Sequence, residues 1–119
     1  MEEVNIIFSS FAFSTLQEYN CSLVHFLYKA QEGTGLLHLS DEEETQVQKW
    51  VSLGFIFRVK RIQESSGTIH DTSHTYILNP EHIWKGSRES RSVLSIDDGT
   101  VKFLRPWLPI IDFLKAHPE

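Results

Sequence analysis

Cysteine is almost missing from this chain. Cys21 is the single one, so no internal disulfide can form and a small disulfide scaffold is excluded. Six histidines are scattered without a cysteine beside them, which leaves no Cys/His zinc pattern. No apolar run approaches the roughly 18 residues that a membrane helix needs, and Met1, Glu2 and Glu3 carry the wrong charge for a secretory signal. The expectation is a chain that starts at Met1 and stays soluble in a reducing cytoplasm. Glycine-rich phosphate loops, H-E-x-x-H, G-x-S-x-G and a Cys-His pair with an orienting acid are also lacking, so neither an enzyme nor a small-molecule substrate is expected.

What the chain does have is aromatic and aliphatic bulk. Its 119 residues are 40% hydrophobic and include eight Phe, three Trp and three Tyr, enough for one core and one domain over residues 1–119. The net charge of −5 argues weakly against nonspecific polyanion binding. Its distribution says more. Residues 1–50 hold two cations against eight carboxylates, whereas residues 51–91 hold six cations against four carboxylates. Any contact with phosphate belongs in that middle stretch.

Periodicity supplies the elements. Val4 to Phe8 reads as an edge strand or a lead into the first helix. Leu16, Tyr19, Leu23, Phe26, Leu27 and Ala30 recur at three and four, which predicts a core helix over 11–30 ended by Gly33 and Gly35. Leu36 to Leu39 follows as a short strand. Ser40-Asp41-Glu42-Glu43 is a capping-box signature, so a second helix should run from Asp41 to Leu53 and stop at Gly54. Phe55 to Ile62 alternates as one half-buried strand, and Thr75 to Leu78 resumes as its partner beyond a long polar tip. Pro80 to Lys85 reads as one helical turn. Asp98-Gly99 joins strands 92–97 and 100–104 as a type I' hairpin, and a last helix begins at or after Pro106, carrying Trp107, Ile110, Ile111 and Leu114.

The hairpin that ends in Thr75-Tyr76-Ile77-Leu78-Asn79-Pro80-Glu81-His82-Ile83-Trp84-Lys85-Gly86, preceded by Leu53-Gly54-Phe55-Ile56, resembles the wing of a winged helix-turn-helix. More narrowly, this T-Y-x-L-N-P-x-x-x-W-K-G segment is similar to that of RepL-like plasmid and phage replication or regulatory proteins. The resemblance covers residues 11–88 as a winged-helix-like core, with 92–119 as a C-terminal hairpin and helix. It implies a small α+β domain that regulates replication or transcription on DNA, and such regulators often pair as dimers. The chain departs from the pattern in that the 21 residues from Gly33 to Leu53 offer one clear helix where two are needed, and that helix opens on four acids.

Two functional readings follow. In the first, the wing grips DNA through Arg58, Lys60 and Arg61, with Ser65 and Ser66 at the tip and Lys85, Arg88 and Arg91 at the base. In the second, the domain is a protein-interaction module, an adaptor or inhibitor. Asp41, Glu42, Glu43 and Glu44 would meet a basic partner, and Trp107, Ile110 and Ile111 would form a hydrophobic contact or homodimer seam. No cofactor is expected. His70, Asp71 and His74 are the one compact set of ligand types, but a hairpin tip does not hold the two imidazoles one helical turn apart, so no metal is expected there either.

Overall fold

Ser40 accepts from the backbone N–H of Glu43 at 3.3 Å, and the Glu43 carboxylate accepts from the N–H of Ser40 at 3.0 Å. This reciprocal box satisfies two donors that a helix start leaves open, and a cap of this kind contributes about 1 kcal/mol. It launches the longest helix of the computed structural model, which describes residues 6–8, 22–31, 33–85, 94–97, 99–104 and 108–116.

Among these residues the elements run β1 (Ile6–Phe8), α1 (Ser22–Lys29), β2 (Leu36–His38), α2 (Asp41–Ser52), β3 (Ile56–Arg58), β4 (Arg61–Gln63), β5 (Ile69–Asp71), β6 (Thr75–Leu78), β7 (Ile83–Lys85), β8 (Leu94–Asp97), β9 (Thr100–Phe103) and α3 (Leu108–Ala116). The domain is α+β. Its sheets are the pair β1-β7, a three-stranded β2-β6-β3 and a four-stranded β5-β4-β9-β8. No helix among the described residues is long and apolar enough to cross a membrane.

The centre of the molecule is β6. Leu36, Ile77 and Phe57 lie in one register row of the three-stranded sheet, and Leu37, Tyr76 and Arg58 lie in the next. Successive side chains point to opposite faces, and here both faces are covered. Leu37, Tyr76, Leu78 and Ile56 pack with Phe26, Leu27, Val47 and Trp50 of α1 and α2. Leu36 and Ile77 pack with Ile62, Val101 and Phe103 of the four-stranded sheet and with Ile110 and Phe113 of α3. Thr75 to Leu78 are all buried, and the one hydroxyl at the strand's start, that of Thr75, is satisfied by donating to Ser73 O at 2.9 Å.

Several expectations need correction. Phe55 to Ile62 is not one strand, because β3 and β4 belong to different sheets and the chain bends at Val59-Lys60. Parallel pairing of Arg61 with Thr100 pulls β4 away, so the outer half of the hairpin is built into the four-stranded sheet and is not a free wing. Part of the polar tip is ladder as well. Arg61 pairs with Asp71 and Gln63 with Ile69, and the turn is confined to the residues between Glu64 and Thr68. Pro80 to Lys85 is a turn only in its first half: the N–H groups of His82 and Ile83 both donate to Asn79 O, at 3.0 and 2.9 Å, and Ile83–Lys85 is strand. Asn79 shapes a turn there, its side chain donating to Gly54 O at 2.7 Å and accepting from Glu81 N at 3.0 Å. The chain then enters β7, which pairs with β1.

The first helix is described over Ser22–Lys29, while the predicted residues 11–21 lie outside the described set. The second ends at Ser52, close to the expected Leu53. Gly35 is required where it stands. Its φ is +72°, a left-handed conformation that side-chain-bearing residues rarely adopt.

Candidate functional site

Arg58 closes β3, Lys60 sits in the bend and Arg61 opens β4, and all three side chains are exposed. Between them Val59 is buried and anchors the bend from below. The bend is held from a distance. Gly99, in the turn of the β8-β9 hairpin, accepts at its carbonyl from Lys60 N at 2.8 Å and from Arg61 N at 3.2 Å. Gly99 has φ +79°, and a Cβ there would meet the Lys60 stem at 2.9 Å. Arg58 lines a cleft of about 480 Å³ with Val51, Phe57, Asn79, Glu81, Ile96 and Gly99, so it borders the turn whose Gly99 carbonyl holds Lys60. Among the described residues none of the three cations forms an ion pair.

The remaining predicted contacts divide. Ser65 and Ser66 are exposed at the tip, and the Ser66 hydroxyl pairs with that of Thr68 at 3.1 Å. Lys85 faces inward. Its ammonium donates to the carbonyls of Leu27, Tyr28 and Ala30 at 2.9, 3.2 and 2.8 Å, so it caps the C-terminus of α1, where free carbonyls and the helix dipole favour a cation. It has no charge to spare for phosphate. Arg88, Arg91 and Trp107, and the side chain of Ile111, lie outside the described residues. On the outer face of the four-stranded sheet, Arg61 shares a register row with Asp71, Thr100 and Asp97. That face is mixed in charge, and the basic character narrows to the bend.

The acidic opening of α2 is largely committed inside the molecule. Lys29 donates to both oxygens of Glu43 at 2.7 and 2.8 Å, and His25 lies 2.6 Å away. The Lys29 ammonium and the Ser40 backbone N–H hold the Glu43 carboxyl at about 2, against an ordinary 4.5. Glu44 accepts from the Tyr76 hydroxyl at 2.9 Å and is joined by Nδ1 of His74. Burial pushes its pKa up, yet the bonds from His74 and Tyr76, helped by the charge of Arg58, bring it below the usual value. Glu44 raises the pKa of His74 in return, and burial followed by Glu44 raises that of Tyr76. Asp41 and Glu42 remain exposed. Ile110 is buried in the core beneath α3, so it is not available to a partner.

The histidines also part company. His70 pairs with Glu64 at 2.6 Å across β5 and β4. His74, the one described non-glycine residue with positive φ, at +54°, turns instead toward α2. There Asp41, Glu44 and His74 each bring a ligand-type atom to within 4.8 Å of the others. Sequence reasoning missed this group, since its members lie 30 residues apart and the signal is no more than a histidine in a turn. No protein-family model, curated protein or solved structure matches this chain.

Proposed function

We propose that the domain is a nucleic-acid-binding regulator of replication or transcription that contacts the phosphate backbone through the bend at Arg58, Lys60 and Arg61. One observation carries the reading: three exposed cations stand within four consecutive residues, and no ion pair among the described residues occupies any of them. The clamp from Gly99 supports it further, because a bend fixed by two backbone hydrogen bonds presents its charges with little ordering left to do on binding. We read the arrangement as winged-helix-like. The order α1, β2, α2 and then β3 paired with β6 supports that reading, with β4 and β5 as a wing tied down by β9. The interaction-module alternative has fewer groups to draw on, since Glu43, Glu44 and Ile110 are engaged internally.

The test is a titration of duplex DNA over a range of salt. Each phosphate contact contributes about 0.9 to the log-log salt slope. Replacing Arg58, Lys60 and Arg61 together by Gln should weaken binding and lower the slope by up to ~2.7. Lys85→Met should leave the slope unchanged. Absence of binding by the wild-type protein at ~50 mM salt, where nonspecific contacts are strong, would defeat the proposal.

A further inference from the structure

We infer that Asp41, Glu44 and His74 form a binding site for a divalent transition ion of the zinc type, with the His38 ring packed beside it. The three primary side chains come from the first turn of α2 and from the turn before β6, and their ligand atoms converge within 4.8 Å. Nδ1 of His74 lies 3.8 Å from Oδ1 of Asp41. Zinc holds nitrogen and carboxylate oxygen at ~2.0–2.2 Å, so ligand atoms around one ion stand roughly 3.4 Å apart. The Asp41–His74 spacing already approaches that value. The Glu44–His74 contact is closer, and the two groups part as the ion replaces the shared proton.

A second element points to the same spot. His38, at the end of β2, presents its ring to His74 with centroids 6.0 Å apart and planes at 68°. β2 and β6 are paired at His38 and Thr75, so the sheet register itself brings the two rings together. The outer partner is present as well. The Tyr76 hydroxyl donates to Glu44 Oε2 at 2.9 Å and leaves the other oxygen to face the ion, so that this bond would orient the carboxylate. Asp41 and His74 are exposed, which gives the ion a way in and water a place to complete the shell.

One imidazole with two carboxylates is a borderline donor set. It suits Zn²⁺ or Co²⁺ better than the all-oxygen preference of Mg²⁺ or Ca²⁺. The site borders the basic bend, since Arg58 pairs with Tyr76 across β3 and β6, but it takes no ligand from the bend.

The experiment is calorimetric titration of the full chain, stripped with a chelator, with ZnCl₂, and in parallel with CoCl₂ followed by visible absorption. One equivalent should bind, and Co²⁺ should develop the intense d–d bands of a low-coordinate ion. Asp41→Asn removes an exposed ligand without touching the core and should weaken binding at least 10-fold. His74→Asn keeps a residue tolerant of positive φ, and should do the same. Tyr76→Phe, which removes only the outer hydroxyl, should cost roughly 10-fold. His25→Gln and His82→Gln should change nothing. Failure to bind Zn²⁺ at one equivalent would overturn the assignment, and so would binding that survives both Asp41→Asn and His74→Asn undiminished, because the ion would then sit on other histidines.

Discussion

The long hairpin between Ile56 and Leu78 has two halves with opposite duties. Its inner half, β3 with β6, lies between two cores, and every residue of β6 is buried. Its outer half, β4 with β5, buries Ile62 on one face and displays Arg61, Asp71 and the 57% exposed Ile69 on the other. The halves are consecutive in the chain but unlike in composition, Ile-Phe-Arg and Thr-Tyr-Ile-Leu in the inner strands against Arg-Ile-Gln and Ile-His-Asp in the outer ones. They differ in what lies across from them: α1 and α2 on one side and α3 with β9 on the other for the inner half, but only one packed layer for the outer. One ribbon therefore serves as a structural keel at its base and as a presenting surface beyond the bend.

The largest effect that sharpens this contrast is expected from paired truncations. Ile77→Ala, at the fully buried centre of β6, should cost about 3 kcal/mol in urea unfolding, within the usual range for an aliphatic core residue. Ile69→Ala on β5 should stay within roughly 0.5 kcal/mol. Similar costs for the two would erase the distinction. Next comes the joint between the halves. Gly99→Ala places a side chain at φ +79° against the Lys60 stem and should destabilise by about 1–2 kcal/mol. If the clamp orders the basic bend, DNA affinity should also fall although no charge is lost.

The smallest effect lies at the inner half's supporting helix and is a matter of pH. In the metal-free protein, the folded-state pKa of Glu43, about 2, is below the ordinary 4.5. A depressed carboxyl contributes its full stability above the unfolded value, and that contribution is lost as pH falls from about 4.5 through about 2. Lys29→Met removes the principal cause of the depression, so its thermal midpoint should decline less steeply over that interval than that of the wild type. An identical acid limb in both proteins would show that the Lys29–Glu43 pair does not couple α1 to α2 in solution.

How much was legible in advance depended on how far each signal reached. The capping box at Ser40 and Glu43 spans three residues and was found intact. The Asp98-Gly99 dipeptide predicted a hairpin, and Asp97 does pair with Thr100 across it. Lys85 misled the reading because its acceptors are 55 to 58 residues away, and nothing near it in the chain distinguishes a capping lysine from a phosphate-binding one. The alternation from Phe55 to Ile62 was real, but alternation alone does not reveal that β9 draws the second half into another sheet. Glu44 and His74 were each noticed separately, the first as part of an acidic surface and the second as part of a polar tip. Their contact exists because α2 packs along β6.

Composition and short-range pattern were thus sufficient to determine an α+β chain with a capped acidic helix, a β-rich middle carrying most of the positive charge, and an apolar C-terminal helix. Those properties rest on neighbours within a turn or two, where propensity and hydrogen bonding act without help. Which cations stay free, which carboxylates are tied down and which histidines meet was decided only when distant strands found their register. A side chain's partners across a sheet are set by packing of whole elements, and local sequence does not encode that choice.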